Sequence, residues 1–250
     1  MLAGVSVPYY TRLERGDLSG VSESVLSALA RALQLDDAES AHLRDLARAA
    51  HPTHSPPRRR TIKQCVRPEV QWTLDAITGA AAFVSNERLD ILASNQLGRA
   101  LYSELYASPE RPVNTARFLF LDPRAETAYG DWDRIATDTV AILRSAAGRD
   151  PYNRDLSDLV GELASQSEAF RTRWATHNVR FHNTGVKQFR HPVVGDLTLT
   201  FNRLDLAADH GLTMFTYSAE PGSRSEEALK LLGSWAATVD PAESARATEL

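Results

Sequence analysis

The run His51-Pro52-Thr53-His54-Ser55-Pro56-Pro57-Arg58-Arg59-Arg60 constrains the fold more than any other stretch of this chain. Adjacent prolines remove backbone donors and fix torsions that a helix or central strand cannot use, and no apolar periodicity crosses the run. It reads as a linker over residues 51–67. A unit of residues 1–50 precedes it, a larger unit of residues 68–239 follows, and residues 240–250 read as a flexible tail. Charge divides at the same place. Residues 1–67 hold ten Lys and Arg against seven Asp and Glu, whereas the remainder holds 18 against 25. The basic first segment is therefore the one suited to a polyanion.

A chain of 250 residues with 43% hydrophobic content can bury cores in both units without covalent staples. Cys65 is the single cysteine, which excludes an intrachain disulfide framework and a multi-cysteine zinc site. No apolar run approaches the ~20 residues of a membrane span, and Met1–Val5 lacks the charged flank of a signal peptide. The expectation is a cytoplasmic protein with no membrane partner.

Three helical patterns fill the first unit. Ser6 is placed to cap a helix from Val7 to Arg15, with Pro8 in its first turn and Gly16 as its stop. Ser22 opens a second helix carrying Val25, Leu26, Leu29, Ala30 and Leu33 at spacings of three and four. Asp36 followed by Glu39 predicts a capping box for a third, with Leu43, Leu46, Ala47 and Ala50.

The second unit mixes periods. Helices are expected over 69–77, 96–106, 132–147, 156–165, 168–177 and 225–239. Short apolar runs at 80–84 and 89–93 flank Asn86-Glu87-Arg88 as a hairpin. Strands are expected over 185–191, 197–204 and 212–219, the middle one alternating Thr198, Thr200 and Asn202 with Leu197, Leu199 and Phe201. The fold class is thus an all-α first unit followed by an α+β unit with an antiparallel sheet.

The segment Leu2-Ala3-Gly4-Val5-Ser6-Val7-Pro8-Tyr9-Tyr10-Thr11-Arg12-Leu13-Glu14-Arg15-Gly16 resembles the turn and recognition helix of the phage-repressor (XRE, Cro-type) helix-turn-helix family. Ala3 and Gly4 are small where helices cross, and Val5, Tyr10 and Leu13 suit a bundle core. The resemblance assigns Ser6, Val7, Pro8, Tyr9 and Arg12 to the half that enters a major groove of an operator duplex. Arg12 suits a bidentate guanine contact and Arg15 a phosphate contact. The competing reading is an amphipathic helix with solvated arginines. Family bundles carry a first helix and a full second helix before this point, so DNA binding is expected of a version that includes them. Arg58, Arg59, Arg60 and Lys63 are either backbone-phosphate contacts or solvated linker charges.

Four strings in the second unit, Gln71–Ala80, Ala116–Ala125, Phe189–Leu199 and Tyr217–Ser223, resemble the MmyB-like ligand-binding domain, which follows helix-turn-helix domains in many bacterial regulators. The resemblance runs from Trp72 to Leu232. It implies a PAS-like fold, an antiparallel sheet with helices over one face enclosing an apolar cavity, which in one family member holds the fatty acid myristate. The lining it implies here is Trp72, Phe83, Leu92, Leu101, Phe118, Phe120, Phe201, Met214 and Phe215, each of which is otherwise simple core. Polar anchors are Arg117, whose fork suits a carboxylate, with Asn95 and Tyr217. A structural ion pair of Arg117 with Asp122 or Asp75 is the alternative. Ser94 stands where the family usually has Trp, which re-shapes the pocket.

No reaction is legible. The spacing of His177 and His182 suits neither a helix face nor a metal motif, and G-x-S-x-G, a Gly-rich phosphate loop and H-E-x-x-H do not occur. His191, before Pro192 at a turn, reads as a capping or packing residue. Asp155 and Asp158 favour a helix start. The expected protein is therefore not an enzyme and takes no cofactor beyond a bound fatty acid or similar amphiphile as effector. It is expected to be a homodimeric DNA-binding regulator sensing a small hydrophobic molecule. The alternative is a lipid-binding or protein-interaction module without DNA binding.

Overall fold

The computed structural model describes residues 5–17, 21–50, 65–176 and 184–247. Leu2–Gly4, the arginine triplet with Lys63, His177, His182 and the end of the predicted tail lie outside the described residues.

Caps define the first three helices. In α1 (Val7–Glu14) the Ser6 hydroxyl accepts from the Tyr9 N–H at 3.3 Å, and Gly16 at φ +87° turns the chain away. In α2 (Glu23–Ala32) Ser22 plays the same part, and Leu26, Leu29 and Ala30 form the buried stripe. The predicted capping box opens α3 (Asp37–Ala49): Asp36 accepts from the Glu39 N–H at 2.8 Å and Glu39 accepts from the Asp36 N–H at 2.9 Å. Helix α2 packs on α3.

The second unit begins with α4 (Pro68–Ala76), β1 (Ala81–Asn86) and β2 (Ile91–Ser94). Strand β2 starts two residues later than its apolar run predicts. The turn is tightened by Asn86, whose side-chain oxygen accepts from the N–H groups of Arg88 and Asp90, and Leu89 takes φ +65° inside it. The predicted helix over 96–106 is two helices, α5 (Gln96–Leu101) and α6 (Ser103–Tyr106), divided at Tyr102 with φ −103° and ψ 29°. Two further helices, α7 (Thr115–Leu121) and α8 (Arg124–Ala128), occupy a stretch where the sequence predicts no element. Then come α9 (Trp132–Arg149), α10 (Arg154–Gln166), α11 (Glu168–Ala175), β3 (Thr184–His191), β4 (Gly195–Asp205), β5 (Leu212–Ser218) and α12 (Arg224–Ala247). The last helix runs past Val239 to Ala247, although Pro241 lies inside it.

The five strands form one antiparallel sheet of order β2-β1-β5-β4-β3. Register sets its faces: Phe83 opposes Phe215, Tyr217 opposes Phe201, and Phe189 opposes Leu197. These residues form the inner face, beneath α5 to α8 and α12, in one core with Leu101, Tyr102, Phe118 and Tyr129. Ala82, Val84, Leu212 and Met214 face the other way and are covered by Val70 and Leu74 of α4. The expected antiparallel sheet with helices over one face is thus present, and a single helix also covers the second face. A separate core joins α7, α9, α10 and α11 around Leu143, Leu163 and Phe170, each fully buried. Burial of such a side chain contributes roughly 1.5–3 kcal/mol. Helix α3 of the first unit packs on α9, so α9 touches both units.

Candidate functional site

In the first unit, the exposed side of α1 carries Ser6, Val7, Pro8, Arg12 and Arg15, with Val7 75% exposed and Tyr9 half-buried, while Leu13 is buried. The Arg12 guanidinium lies 5.0 Å from the Tyr9 ring centre and 3.7 Å from a carboxylate oxygen of Asp17. Both contacts are at the surface, so Arg12 is held by weak, screened attractions that a nucleic acid can replace. Ser6 has the N-cap as its local task.

In the second unit, the inner face of the sheet is a continuous aromatic floor. Phe83 stacks on Phe215 at 5.4 Å and on Tyr217 at 5.9 Å, and Phe201 lies 6.1 Å from Tyr217. Tyr102 meets Phe83 and Phe189 edge-on at 5.4 and 5.6 Å. Tyr129, at the end of α8, is 5.7 Å from Phe189 and 6.2 Å from Phe118. The floor ends in clefts. A small one of about 20 Å³ lies among Leu101, Tyr102, Phe118, Tyr129, Phe189 and His191, with room for one water. The other, of about 360 Å³, opens over Phe215 between the β1–β2 turn, the β4–β5 loop and α9, which contributes Ile142 and Arg149. Its volume falls in the range of small-molecule sites. Its rim charges are paired: Arg149 with Glu87 at 3.1 Å and Arg203 with Asp205 at 3.0 Å.

Lys187 of β3 points to this inner face. Its Nζ lies 4.5, 5.2, 5.5 and 5.9 Å from the ring centres of Tyr129, Phe189, Tyr102 and Tyr217, close enough for each to attract a cation. It donates to the Tyr102 hydroxyl at 3.2 Å, which in turn donates to the Tyr217 hydroxyl at 3.1 Å. Burial pushes the Lys187 amine down to about 7, assisted by Arg134 and opposed by Asp138. Burial likewise raises the three phenols, Tyr217 to about 12. His191 closes the small cleft. Its Nε2 reaches the Ala100 carbonyl at 2.9 Å and its Nδ1 accepts from the Val193 N–H, which assigns the Nε2–H tautomer; burial lowers its pKa. This is the packing part that the sequence suggested.

The residues expected to line a pocket separate into groups. Phe83, Leu101, Phe118, Phe201, Phe215 and Tyr217 share the inner core, and Phe120 bridges to the second core through Trp132 and Phe170. Leu92 and Met214 lie on the opposite face, because strand parity turns them toward α4. Trp72 is 66% exposed on α4 and lines neither of these two clefts. Asn95 is not an open anchor: its side chain accepts from the Ala82 and Gly98 N–H groups and donates to the Ile77 and Ala80 carbonyls, using its full capacity. Arg117 forms a bidentate pair with Glu162, 2.7 Å at the shortest, and not with Asp122 or Asp75. Asp122 pairs with Arg124. Ser94 bonds the Tyr106 hydroxyl at 3.1 Å. Sequence reasoning missed Lys187, Tyr102, Tyr129 and Phe189. The parity of Lys187 with Phe189 and His191 in one strand was the available signal.

Among the described residues no cluster of His, Cys, Asp or Glu is arranged to hold a metal ion, and no helix is long and apolar enough to cross a membrane. Comparison with known families matches residues 1–43 to a helix-turn-helix domain and residues 66–232 to the MmyB-like transcription regulator ligand binding domain. No curated protein matches the chain. With that match spanning more than half of its length, behind a helix-turn-helix segment, the chain belongs to the family of transcription regulators with an MmyB-like ligand-binding domain.

Proposed function

We propose that this ligand-responsive, DNA-binding regulator is of the phage-repressor (XRE) type and acts in the cytoplasm as a homodimer. Its effector is a small hydrophobic or fatty-acid-like amphiphile lying over the inner face of the sheet. The observation that carries this reading is the 360 Å³ cleft, whose floor ring Phe215 continues into the aromatic face. Its wall is α9, the helix on which α3 of the first unit packs. An effector there contacts the element that holds the DNA-reading unit, which is what coupling between two states requires. Two copies are expected because operators for this helix type present half-sites about one helical turn apart. Residues Ser6, Val7, Pro8, Tyr9, Arg12 and Arg15 are assigned to the operator.

The test is mass spectrometry of the organic extract of purified protein beside an empty-vector control, followed by operator-binding titrations with the compound found. A stoichiometric amphiphile that changes operator affinity supports the reading. An empty extract, together with no thermal stabilisation by a fatty-acid series, refutes the effector class. Arg12→Ala is expected to weaken specific binding by about 1–3 kcal/mol. Equal loss on all sequences would make Arg12 a phosphate contact.

A further inference from the structure

We propose that Lys187 is the anchor of the effector site, and that the effector carries a carboxylate met jointly by the Lys187 amine and the Tyr217 hydroxyl. The inference rests on the reading that an amphiphile lies over the inner face.

The geometry is that of an amine ringed by aromatic faces and without an ion-pair partner among the described residues. Parity along β3 aims Lys187 inward with Phe189 and His191, and ring faces surround its Nζ on several sides. An ammonium has three donors, and Lys187 uses one of them on Tyr102. Arg134, the basic group that acts on Lys187, is itself matched by Asp131 and Asp138. Lys187 takes part in none of the ion pairs formed among the described residues. Buried charges are ordinarily paired, so this position favours an arriving anion. The hydroxyl chain adds direction. Because Tyr102 donates to Tyr217, the Tyr217 hydrogen remains available to a second acceptor beside the amine. The aromatic floor links Tyr217 through Phe83 to Phe215, the ring that lines the 360 Å³ cleft.

Proton uptake follows. The amine titrates near 7, under Arg134 and Asp138 of α9, among the phenols of Tyr102, Tyr129 and Tyr217, with Glu104 acting on Tyr129. The phenols stay neutral near pH 7, so Lys187 is the group that changes charge. A carboxylate favours the protonated amine, and its affinity therefore falls as pH rises through about 7, whereas that of a neutral alcohol does not.

Isothermal titration of the full chain with decanoate and with 1-decanol, at pH 6 and pH 8, tests this. Wild type is expected to prefer decanoate at pH 6 and to lose much of that preference at pH 8. Lys187→Met is expected to weaken decanoate binding about tenfold or more while sparing decanol, and Lys187→Arg to retain decanoate binding without its pH dependence. Decanoate and decanol bound equally by wild type and Lys187→Met, or lost equally in Lys187→Met but kept in Lys187→Arg, would overturn the anchor and leave the amphiphile reading standing. Binding of neither probe by wild type would overturn both.

Discussion

Replacing Asn95 with Ala gives the sharpest test of how the effector unit is built. Asn95 is 3% exposed and makes four side-chain hydrogen bonds, at 2.9 Å from the Ala82 N–H, 2.7 Å from the Gly98 N–H, and 2.7 and 2.8 Å to the Ile77 and Ala80 carbonyls. These bonds clamp the strand β1 entry to the first turn of α5. Gly98 is part of the same device, since a Cβ there would sit 2.4 Å from the Ala82 carbonyl oxygen. Alanine at 95 strands two buried N–H donors, each costing about 1–3 kcal/mol, while the carbonyls relax toward water. A lost N-cap, itself about 0.5–2 kcal/mol, is contained in that figure. The expected destabilisation is about 3–5 kcal/mol, or about 6–20 °C in Tm for a unit of this size. Asn95→Asp keeps both acceptors but sets a carboxylate against two carbonyls, so it is destabilising as well. Urea and thermal unfolding followed by circular dichroism measure the loss. A loss under about 1 kcal/mol, accompanied by failed effector binding, would refute the reasoning and make Asn95 a ligand anchor.

Two further outcomes follow from pairings that cross the fold. Arg117→Met should leave the acid-over-alcohol preference unchanged and cost at most about 1 kcal/mol, because the Arg117–Glu162 pair is about one-third exposed on both sides; loss of the preference in calorimetric titrations would place Arg117 against the effector instead. His42 of α3 packs where a Cβ on Gly148 of α9 would lie 2.3 Å from its ring, and burial lowers its pKa, with Arg144 and Arg149 assisting and Asp45 opposing. The neutral form therefore favours docking. That contribution is complete above the ordinary value of about 6.5 and is lost as pH falls below it. Energy transfer between dyes on the two units should report separation on acidification, and His42→Ala should flatten the response.

Local structure was legible in the chain because its causes are local. Ser6, Ser22 and the Asp36–Glu39 box start their helices as the caps predict, since a side chain three residues away satisfies the orphan N–H groups. Alternation located the strands of the last third, and motif strings located the family. The helices α7 and α8 were missed because each is short, seven and five residues, too short for periodicity to register.

The candidate site depended on relations that no single strand or helix contains. Period two says that neighbours face opposite ways, but which parity faces the helices is decided by pairing, so Phe83 and Met214 looked equivalent and stand on opposite faces. The partner of Arg117 is 45 residues away, across the α7–α10 contact. Lys187 drew no assignment from the sequence. Its own strand supplies Phe189, but only the tertiary structure brings Tyr102, Tyr129 and Tyr217 around its amine. Caps, periods and family were determined by the sequence itself, because short-range sterics and hydrogen bonding act within a few residues. The charge state of Lys187 and the position of the clefts were decided by the fold, because desolvation depends on what packs nearby in space.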